Sequence, residues 1–509
     1  MTIVSLFLYV ALAAAALSFI IYRFKREDYS FLDNFIQNFA GILFIFSGFV
    51  KAVDPMGTAF KMEQYFTAFE DTCKGSFLSF MAPLFPMLSK LALGFSVFMI
   101  VLEIVLGIML IIGYRRKLAA WLFFIIMIFF TVLTGFTYLT GYVPSDANFF
   151  EFSKWTEYNK NQMRVTDCGC FGDFIKLEPK ISFIKDLILM LPAIWFLFRW
   201  RKLYQLFTEK LRMAVTVMST IGLLLFCFSN YIWNEPVIDF RPFKIGADIK
   251  TQLELEQKAQ AEVKILAYII RNRETKIELE VPYKDYLDSF KNNPNFKTVW
   301  ESLDQIKSEP SIPRTKISDF DILSFDGESK TQEILNDDRY ILALISPKIK
   351  NNVISVEMMI QDTIYEIDTI ISFDPGTKEE SIKIVQGQID TIIEKSIKKN
   401  QYSWDPEYLN IVQTKILPLL DSVESEQLSF ISIFGGLTEE GVVELRKASG
   451  INFPCFEADD LLLKTIMRSN PGLVLLKSGK IIHKWHHHQL PEPKDLKLKY
   501  LNETGNKIY

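Results

Sequence analysis

Asp167-Cys168-Gly169-Cys170-Phe171-Gly172-Asp173 lies between two apolar runs, Leu118–Leu139 and Phe183–Trp200. Each run approaches the roughly 20 residues that a helix needs to cross a bilayer. The loop holds two of the chain's five cysteines, one residue apart. Moving outward, four further runs have similar length and composition: Ile3–Tyr22, Phe35–Val53, Leu88–Ile112 and Val215–Trp233. The first reads as a retained helix rather than a cleaved signal, because Arg23, Lys25 and Arg26 follow its apolar core instead of preceding it. After residue 233 the long Phe/Leu/Ile runs stop and a mixed, charged sequence begins.

The averages over 509 residues, 49% apolar with net charge −4, blend these two unlike halves. The charge balance and the lack of an Arg/Lys patch with interleaved aromatics exclude a nucleic-acid partner. The partner that composition does imply is the lipid bilayer.

Basic residues cluster at Arg23-Lys25-Arg26, at Arg115-Arg116-Lys117, and from Arg199-Arg201-Lys202 to Lys210-Arg212. Six spans put all three clusters on one side, which the positive-inside rule makes cytoplasmic. The opposite side then receives loop 54–87, the cysteine loop and the whole C-terminal part. The expected location is the cytoplasmic membrane, multi-pass, with a periplasmic C-terminal domain. Cys73, Cys168, Cys170 and Cys455 fall on that outer side and Cys227 in the outer part of the last helix, where thiol redox chemistry is permitted.

Within the second span, Ala40, Gly41, Ser47 and Gly48 are small enough to let helices approach closely. Glu103 falls in the middle of Leu88–Ile112, where an ionised carboxylate costs several kcal/mol unless paired or protonated. Lys51, at the outer end of its helix, either snorkels to the interface or pairs with Glu103. The short Gly113–Lys117 turn makes the spans around it an antiparallel hairpin.

Phe44-Ile45-Phe46-Ser47-Gly48-Phe49-Val50-Lys51-Ala52-Val53-Asp54-Pro55, the Glu103 helix, and the cysteine loop followed by Ser182-Phe183-Ile184-Lys185-Asp186 resemble the DoxX/MauE superfamily, with DoxX-containing proteins of Bacteroidetes as the nearest likeness. The resemblance covers about residues 33–233. It implies a DoxX-like four-helix membrane module with the cysteines at its outer face, and leaves Ile3–Tyr22 and Val215–Trp233 as extra spans. It also implies a link to methylamine utilisation and disulfide-dependent maturation through the MauE branch, and to thiol or quinone redox through DoxX relatives.

Chemically, a disulfide between residues two apart closes a small, strained ring, and strain favours exchange over stapling. Gly169 and Gly172 supply the backbone freedom such a turn needs. Lys185 is placed to stabilise a thiolate, whereas Asp167 and Asp173 oppose it. Other readings stay open: pairing with Cys73 or Cys227 as structural disulfides, metal ligation, or free packed thiols. No second Cys-x-Cys or nearby His completes a metal site there.

Pro236–Phe243 reads as a stiff linker, Val263–Val281 as a hairpin split at Asn272-Arg273-Glu274-Thr275, and Asn293–Pro313 as a loop. From Ser318 strands and helices alternate: strands at Arg339–Ser346, Leu428–Phe434, Phe453–Phe456, Leu473–Leu476 and Ile481–Trp485, with helices at Glu407–Ser422, Thr438–Ser449 and Asp459–Arg468. The order β-α-β-α-β-α-β-β predicts an α/β domain with a parallel portion and a terminal antiparallel hairpin. It resembles a thioredoxin fold of the TlpA type over about 318–490, with Pro471 at the family's cis-proline position and an insertion near 351–400. Where that family carries Cys-x-x-Cys, this chain has Ser346-Pro347-Lys348-Ile349-Lys350-Asn351, so the domain lacks thiols for exchange. Cys455, in a strand, reads as an apolar packing residue. The run His483-Lys484-Trp485-His486-His487-His488 holds all four histidines. Three adjacent imidazoles suit zinc or copper binding, or pH sensing at about 6–7. In a strand, however, only His486 and His488 share a face and two ligands do not make a site, so the favoured reading is solvated strand-end histidines with Trp485 packed inward.

The sequence therefore divides into 1–32 (first span and turn), 33–233 (DoxX/MauE-like membrane domain), 234–317 (linker and hairpin) and 318–509 (thioredoxin-like domain). The expected fold is an α-helical membrane bundle of about six spans followed by an extracytoplasmic α/β domain. The leading functional expectation is extracytoplasmic thiol–disulfide redox homeostasis or disulfide-dependent maturation. In it Cys168 and Cys170 are the redox pair, Glu103 and Lys51 form a polar spot, and the soluble domain docks a client or thiol-redox partner. A quinone is the cofactor that this chemistry suggests. The alternative is a membrane scaffold with structural cysteines.

Overall fold

A computed structural model describes residues 2–24, 30–165, 167–293, 295–373, 380–425 and 427–501. Lys25 and Arg26 of the first basic cluster lie outside these residues.

Six helices are long and apolar enough to cross a membrane, at the places the apolar runs indicate. They are α1 (Ile3–Phe24), α2 (Phe31–Val53), α5 (Ala92–Ile112), α6 (Arg116–Leu139), α7 (Pro179–Arg199) and α8 (Glu209–Phe228). Between α2 and α5 lie α3 (Pro55–Cys73) and the short α4 (Leu84–Lys90). Phe198, Met218 and Leu191 on the outer faces are 83%, 72% and 67% exposed, a girdle of apolar side chains suited to lipid tails.

Small residues set the tightest helix pair, as the sequence indicates. A Cβ on Gly107 of α5 would stand 2.7 Å from the Gly41 carbonyl of α2, so the two backbones touch where any larger residue would push them apart. Gly113 ends α5 at φ +70°, and its missing side chain leaves room for the Tyr204 carbonyl. Arg116 there donates to the carbonyls of Arg201 and Leu203 at 2.9 and 2.7 Å, which gathers two of the basic clusters at one end of the bundle. Asp54 caps α3 by accepting from the Gly57 N–H at 3.1 Å, with Pro55 in its first turn, so the chain reverses at once after α2.

At the other end of the bundle, α8 closes in a π-turn, Ser229–Trp233, and leads to the C-terminal part. Helix α9 (Ile249–Ala261), capped by Asp248, precedes a three-stranded antiparallel sheet ordered β2-β1-β3. Its strands are β1 (Ile265–Asn272), β2 (Glu278–Pro282) and β3 (Trp300–Lys307), with α10 (Tyr283–Asn292) and α11 (Phe296–Val299) between the last two. The hairpin stands where the sequence puts it. The loop expected over Asn293–Pro313 is corrected: it contains α11 and β3. Strand β3 is a polar, mostly exposed edge strand paired with β1, so no apolar alternation marks it.

After α12 (Thr331–Asn336), a second sheet has five strands in the order β10-β9-β4-β7-β8. Strands β4 (Tyr340–Ser346), β7 (Leu428–Phe434) and β8 (Cys455–Glu457) run parallel. Strands β9 (Gly472–Lys477) and β10 (Lys480–His486) add an antiparallel hairpin beside β4. The intervening helices are α13 (Pro406–Ile411), α14 (Leu417–Val423), α15 (Glu439–Ser449) and α16 (Asp460–Ile466). All seven residues of β4 are buried, because apolar layers cover both faces of this central strand. The alternating order read from the sequence is therefore present. The region 351–400 forms one long antiparallel pair, β5 (Asn351–Phe373) with β6 (Glu380–Trp404), standing apart from that sheet.

Residues 234–243 are more than a linker. Arg241 is buried, bonded to Asp239 at 2.7 Å and to Glu235 at 2.9 Å. Lys484 of β10 adds a second cation to Asp239. Glu235 accepts the backbone N–H groups of Arg468 and Ser469 at 3.0 and 2.9 Å. The membrane exit is thus tied into the α/β domain by a buried network of charge.

Candidate functional site: a polar cavity under the cysteine loop

The loop that follows α6 turns sharply at Gly169 (φ +61°) and Gly172 (φ +53°), a backbone region L side chains rarely adopt. The Gly172 N–H donates to the Gly169 carbonyl at 3.1 Å, and the Asp167 carboxylate accepts the Gly169 N–H at 3.1 Å. Phe171 is the anchor: it is buried against Phe46 and Phe174, and Ser47 of α2 donates to the Cys170 carbonyl at 2.9 Å. With Phe171 held inside, Cys168 and Cys170 both face a cavity of about 60 Å³ between α2, α3, α5, α6 and α7.

Two ion pairs line that cavity. Lys51 of α2 bonds Glu103 of α5, both buried, so the intramembrane carboxylate finds the partner the sequence offered it. Lys185 of α7 bonds Asp186 at 2.6 Å, and Asp186 accepts from the Thr134 hydroxyl at 3.0 Å. Each charge is paired, the condition under which ionised groups persist at this depth. Lys51 also lies 5.1 Å from the centre of the Phe130 ring, and Lys185 lies 5.6 Å from that of Phe171. Removing one partner would strand the other, at a cost of about 3–5 kcal/mol.

This setting makes the two thiols unequal. A hydrogen bond from Cys168, then the Lys185 and Lys51 cations, hold the Cys170 thiol below its ordinary value despite burial. The same contact, then burial, pushes Cys168 up. Cys170 is thus the more acidic thiol of the pair. Asp167, expected to oppose the thiolate, is itself met by Lys61 of α3 at 2.9 Å. Asp173 sits farther out, 3.5 Å from both Lys176 and Arg468, and does not line the thiol cavity.

All five cysteines are free. The expected alternative partners are elsewhere: Cys73 ends α3, and Cys227 packs among Ala52, Val97 and Ile100. Cys455 is half-buried, its thiol pushed up to about 11 by burial, consistent with a packing residue.

A second cavity, of about 100 Å³, lies on the outer side of the loop and shares Thr58, Lys61 and Gly169 with the first. Its far wall is the α/β domain. Arg468, just after α16, reaches down to Asp54 with contacts of 2.6–3.0 Å and stacks 5.3 Å from the Phe60 ring. The Asn470–Pro471 bond is cis, and Asn470 donates to the Lys348 carbonyl in the thiol-free stretch after β4. Pro471 therefore belongs to the α/β domain's own turn and not to the thiol cavity.

The sequence reading missed Asp54, Lys61, Tyr65, Thr134, Glu235 and Arg468. Lys61 and Tyr65, four apart on α3, share one helix face, and that spacing was a usable signal; Tyr65 bonds the Thr137 hydroxyl at 2.7 Å. Arg468, which meets both Asp54 and Glu235, lies more than two hundred residues from either, beyond any local pattern.

The histidine run also departs from expectation. His486 is buried, not solvated, and the turn after β10 brings His486, His487 and His488 together. Burial pushes His486 down to about 4 and His487 to about 3, so neither changes charge near neutral pH.

Residues 29–145 match the family model described as Methylamine utilisation protein MauE. The matched segment carries Lys51 and Glu103 and stops short of the cysteine loop. No curated protein and no solved structure matches the chain.

Proposed function

We propose that this MauE-family multi-pass membrane protein carries out thiol–disulfide exchange at the extracytoplasmic face, with Cys170 as nucleophile and Cys168 as resolving thiol. The observation that carries the reading is the pair of thiols facing one cavity into which two ion pairs project, one thiol held low by the hydrogen bond from the other and by the two lysines. The gathering of basic helix ends opposite the α/β domain supports an extracytoplasmic position for that domain and for the loop. The strand order β10-β9-β4-β7-β8 and the cis Pro471 support the thioredoxin-like reading of 318–490. In that reading the domain recognises or covers; it does not exchange.

In the reducing direction, the Cys170 thiolate attacks one sulfur of a client disulfide. The client S–S bond breaks, a Cys170–client disulfide forms, and the second client sulfur leaves as a thiolate that takes up a proton. Cys168 then gives up its proton and attacks the Cys170 sulfur. The client's remaining thiolate leaves, and a Cys168–Cys170 disulfide holds the oxidised equivalents. A second extracytoplasmic dithiol protein reverses the steps and restores the pair. Lys185 and Lys51 stabilise the attacking thiolate, and the Glu103 and Asp186 carboxylates hold both lysines in place. No step of this exchange runs through a quinone.

Trapping tests this. Cells carrying Cys168→Ser, acid-quenched and run on non-reducing gels, should accumulate a mixed disulfide that Cys168→Ser/Cys170→Ser abolishes. Without an adduct, and with client disulfides unchanged in the double variant, the thiols are packing groups and the protein is a scaffold.

A further inference from the structure

We propose that His486, His487 and His488 form a binding site for one late first-row divalent cation, zinc or copper, at the seam between the membrane exit and the α/β domain. Three features of the geometry lead there. One nitrogen from each ring lies within 4.8 Å of the others. The rings are gathered with centroids 4.1–5.2 Å apart, His486 stacked on His488 and His487 tilted against both. Above all, the hydrogen bonds fix which nitrogens carry lone pairs.

His487 Nδ1 lies 3.1 Å from the Pro471 carbonyl, and His488 Nδ1 lies 2.7 Å from the Ile232 carbonyl. A carbonyl oxygen only accepts, so both Nδ1 atoms carry the proton and both Nε2 atoms are bare. An imidazole whose second N–H is pinned to a backbone carbonyl is the arrangement that orients metal-binding histidines. Ser469 reinforces it: its hydroxyl oxygen sits 2.8 Å from His487 Nδ1 and accepts the His487 backbone N–H at 3.1 Å. His486 Nδ1 accepts the His488 N–H at 3.2 Å and therefore also carries a lone pair, which the metal takes in exchange for that long bond.

Around a tetrahedral zinc with Zn–N near 2.0–2.1 Å, ligand nitrogens stand roughly 3.4 Å apart, so rings whose nitrogens lie within 4.8 Å of one another draw together on binding. Imidazole nitrogen suits zinc and copper rather than the oxygen-seeking calcium or magnesium. Glu235 is already committed to Arg241 and to the N–H groups of Arg468 and Ser469, so the fourth position falls to water. The Ile232 carbonyl belongs to the last turn of the membrane exit and Pro471 to the turn before β9. A metal here would clamp the two parts of the chain together. This site is independent of the thiols.

The test uses the full chain in detergent with any polyhistidine tag removed. It is dialysed with ZnCl₂ or with CuCl₂, freed of loose metal, and analysed for metal per chain and for melting temperature. Wild type should retain about one equivalent and melt higher with metal than without, since a ligand that binds the folded state raises its stability. His487→Asn/His488→Asn keeps an N–H donor at each Nδ1 position and removes the Nε2 ligands. It should retain no equivalent and show no metal-dependent shift, while its metal-free melting matches wild type. The proposal is overturned if wild type retains no metal, or if the Asn variant retains as much. Should that variant fail to fold, His487→Gln alone must lower zinc affinity at least tenfold, and an unchanged affinity likewise overturns it.

Discussion

The membrane bundle and the α/β domain solve opposite problems with the same residue types. In the bundle, charge is sparse and every charged side chain at the cavity is committed: Lys51 to Glu103, Lys185 to Asp186. The thiols sit where those two lysines act together. The α/β domain has an ordinary apolar core around β4 and no thiol in the stretch 347–351 directly after it, and its buried charges serve to join it to the bundle through Asp239, Arg241, Glu235 and Arg468. Buried charge gathers around the thiols in one region and fixes position in the other.

If that division holds, the largest effect belongs to the bundle's ion pair. Glu103→Leu should destabilise by about 3–5 kcal/mol by leaving Lys51 uncompensated, whereas Glu103→Leu/Lys51→Met should recover most of that loss. Melting in detergent, with the single Lys51→Met closing the cycle, checks it; additive losses would mean the two residues do not depend on each other. Next comes the seam. Arg468→Ala should cost about 2–4 kcal/mol in the attachment of the α/β domain, because Asp54 is left buried without its guanidinium. The domain should then be released faster by limited proteolysis in the 234–248 stretch, while Cys170 alkylation becomes quicker as the outer cavity opens.

A smaller, chemical effect separates the two thiols. Below the pH at which an ordinary cysteine reacts, Cys170 should be alkylated before Cys168, its rate rising with pH and levelling off early because its thiolate forms early. Lys185→Met should move that plateau to higher pH without changing the order. Smallest of all, Cys455→Ala should cost under about 1.5 kcal/mol and leave thiol trapping untouched, as expected of a half-buried packing residue.

Much of this architecture could be read from the chain. Six long apolar runs become six long helices, because a bilayer allows few other backbone solutions. The Glu103–Lys51 pair was legible because a charge in the middle of a span demands a partner and the candidates are few. The succession of strands and helices along the α/β domain followed from local alternation and Gly/Pro punctuation. What stayed hidden was non-local or polar. Strand β3, with sequence Trp300-Glu301-Ser302-Leu303-Asp304-Gln305-Ile306-Lys307, has no alternation to mark it. Arg468 finds Asp54 only once the domain folds back over the bundle. The histidines read as exposed because a strand would alternate their side chains; the chain turns after His486 and brings all three together.

The central claim is that Cys168 and Cys170 exchange electrons with each other, and the direct measurement is their redox state. The purified chain is equilibrated in glutathione buffers of graded potential, acid-quenched, alkylated and read by mass spectrometry. The account predicts that the Cys168–Cys170 peptide passes as a unit from two alkyl groups to none. The midpoint should lie above about −300 mV, as suits an exchanging rather than a stapling disulfide. Two alkyl groups at every potential, or independent pairing of either cysteine with Cys73 or Cys227, would contradict it.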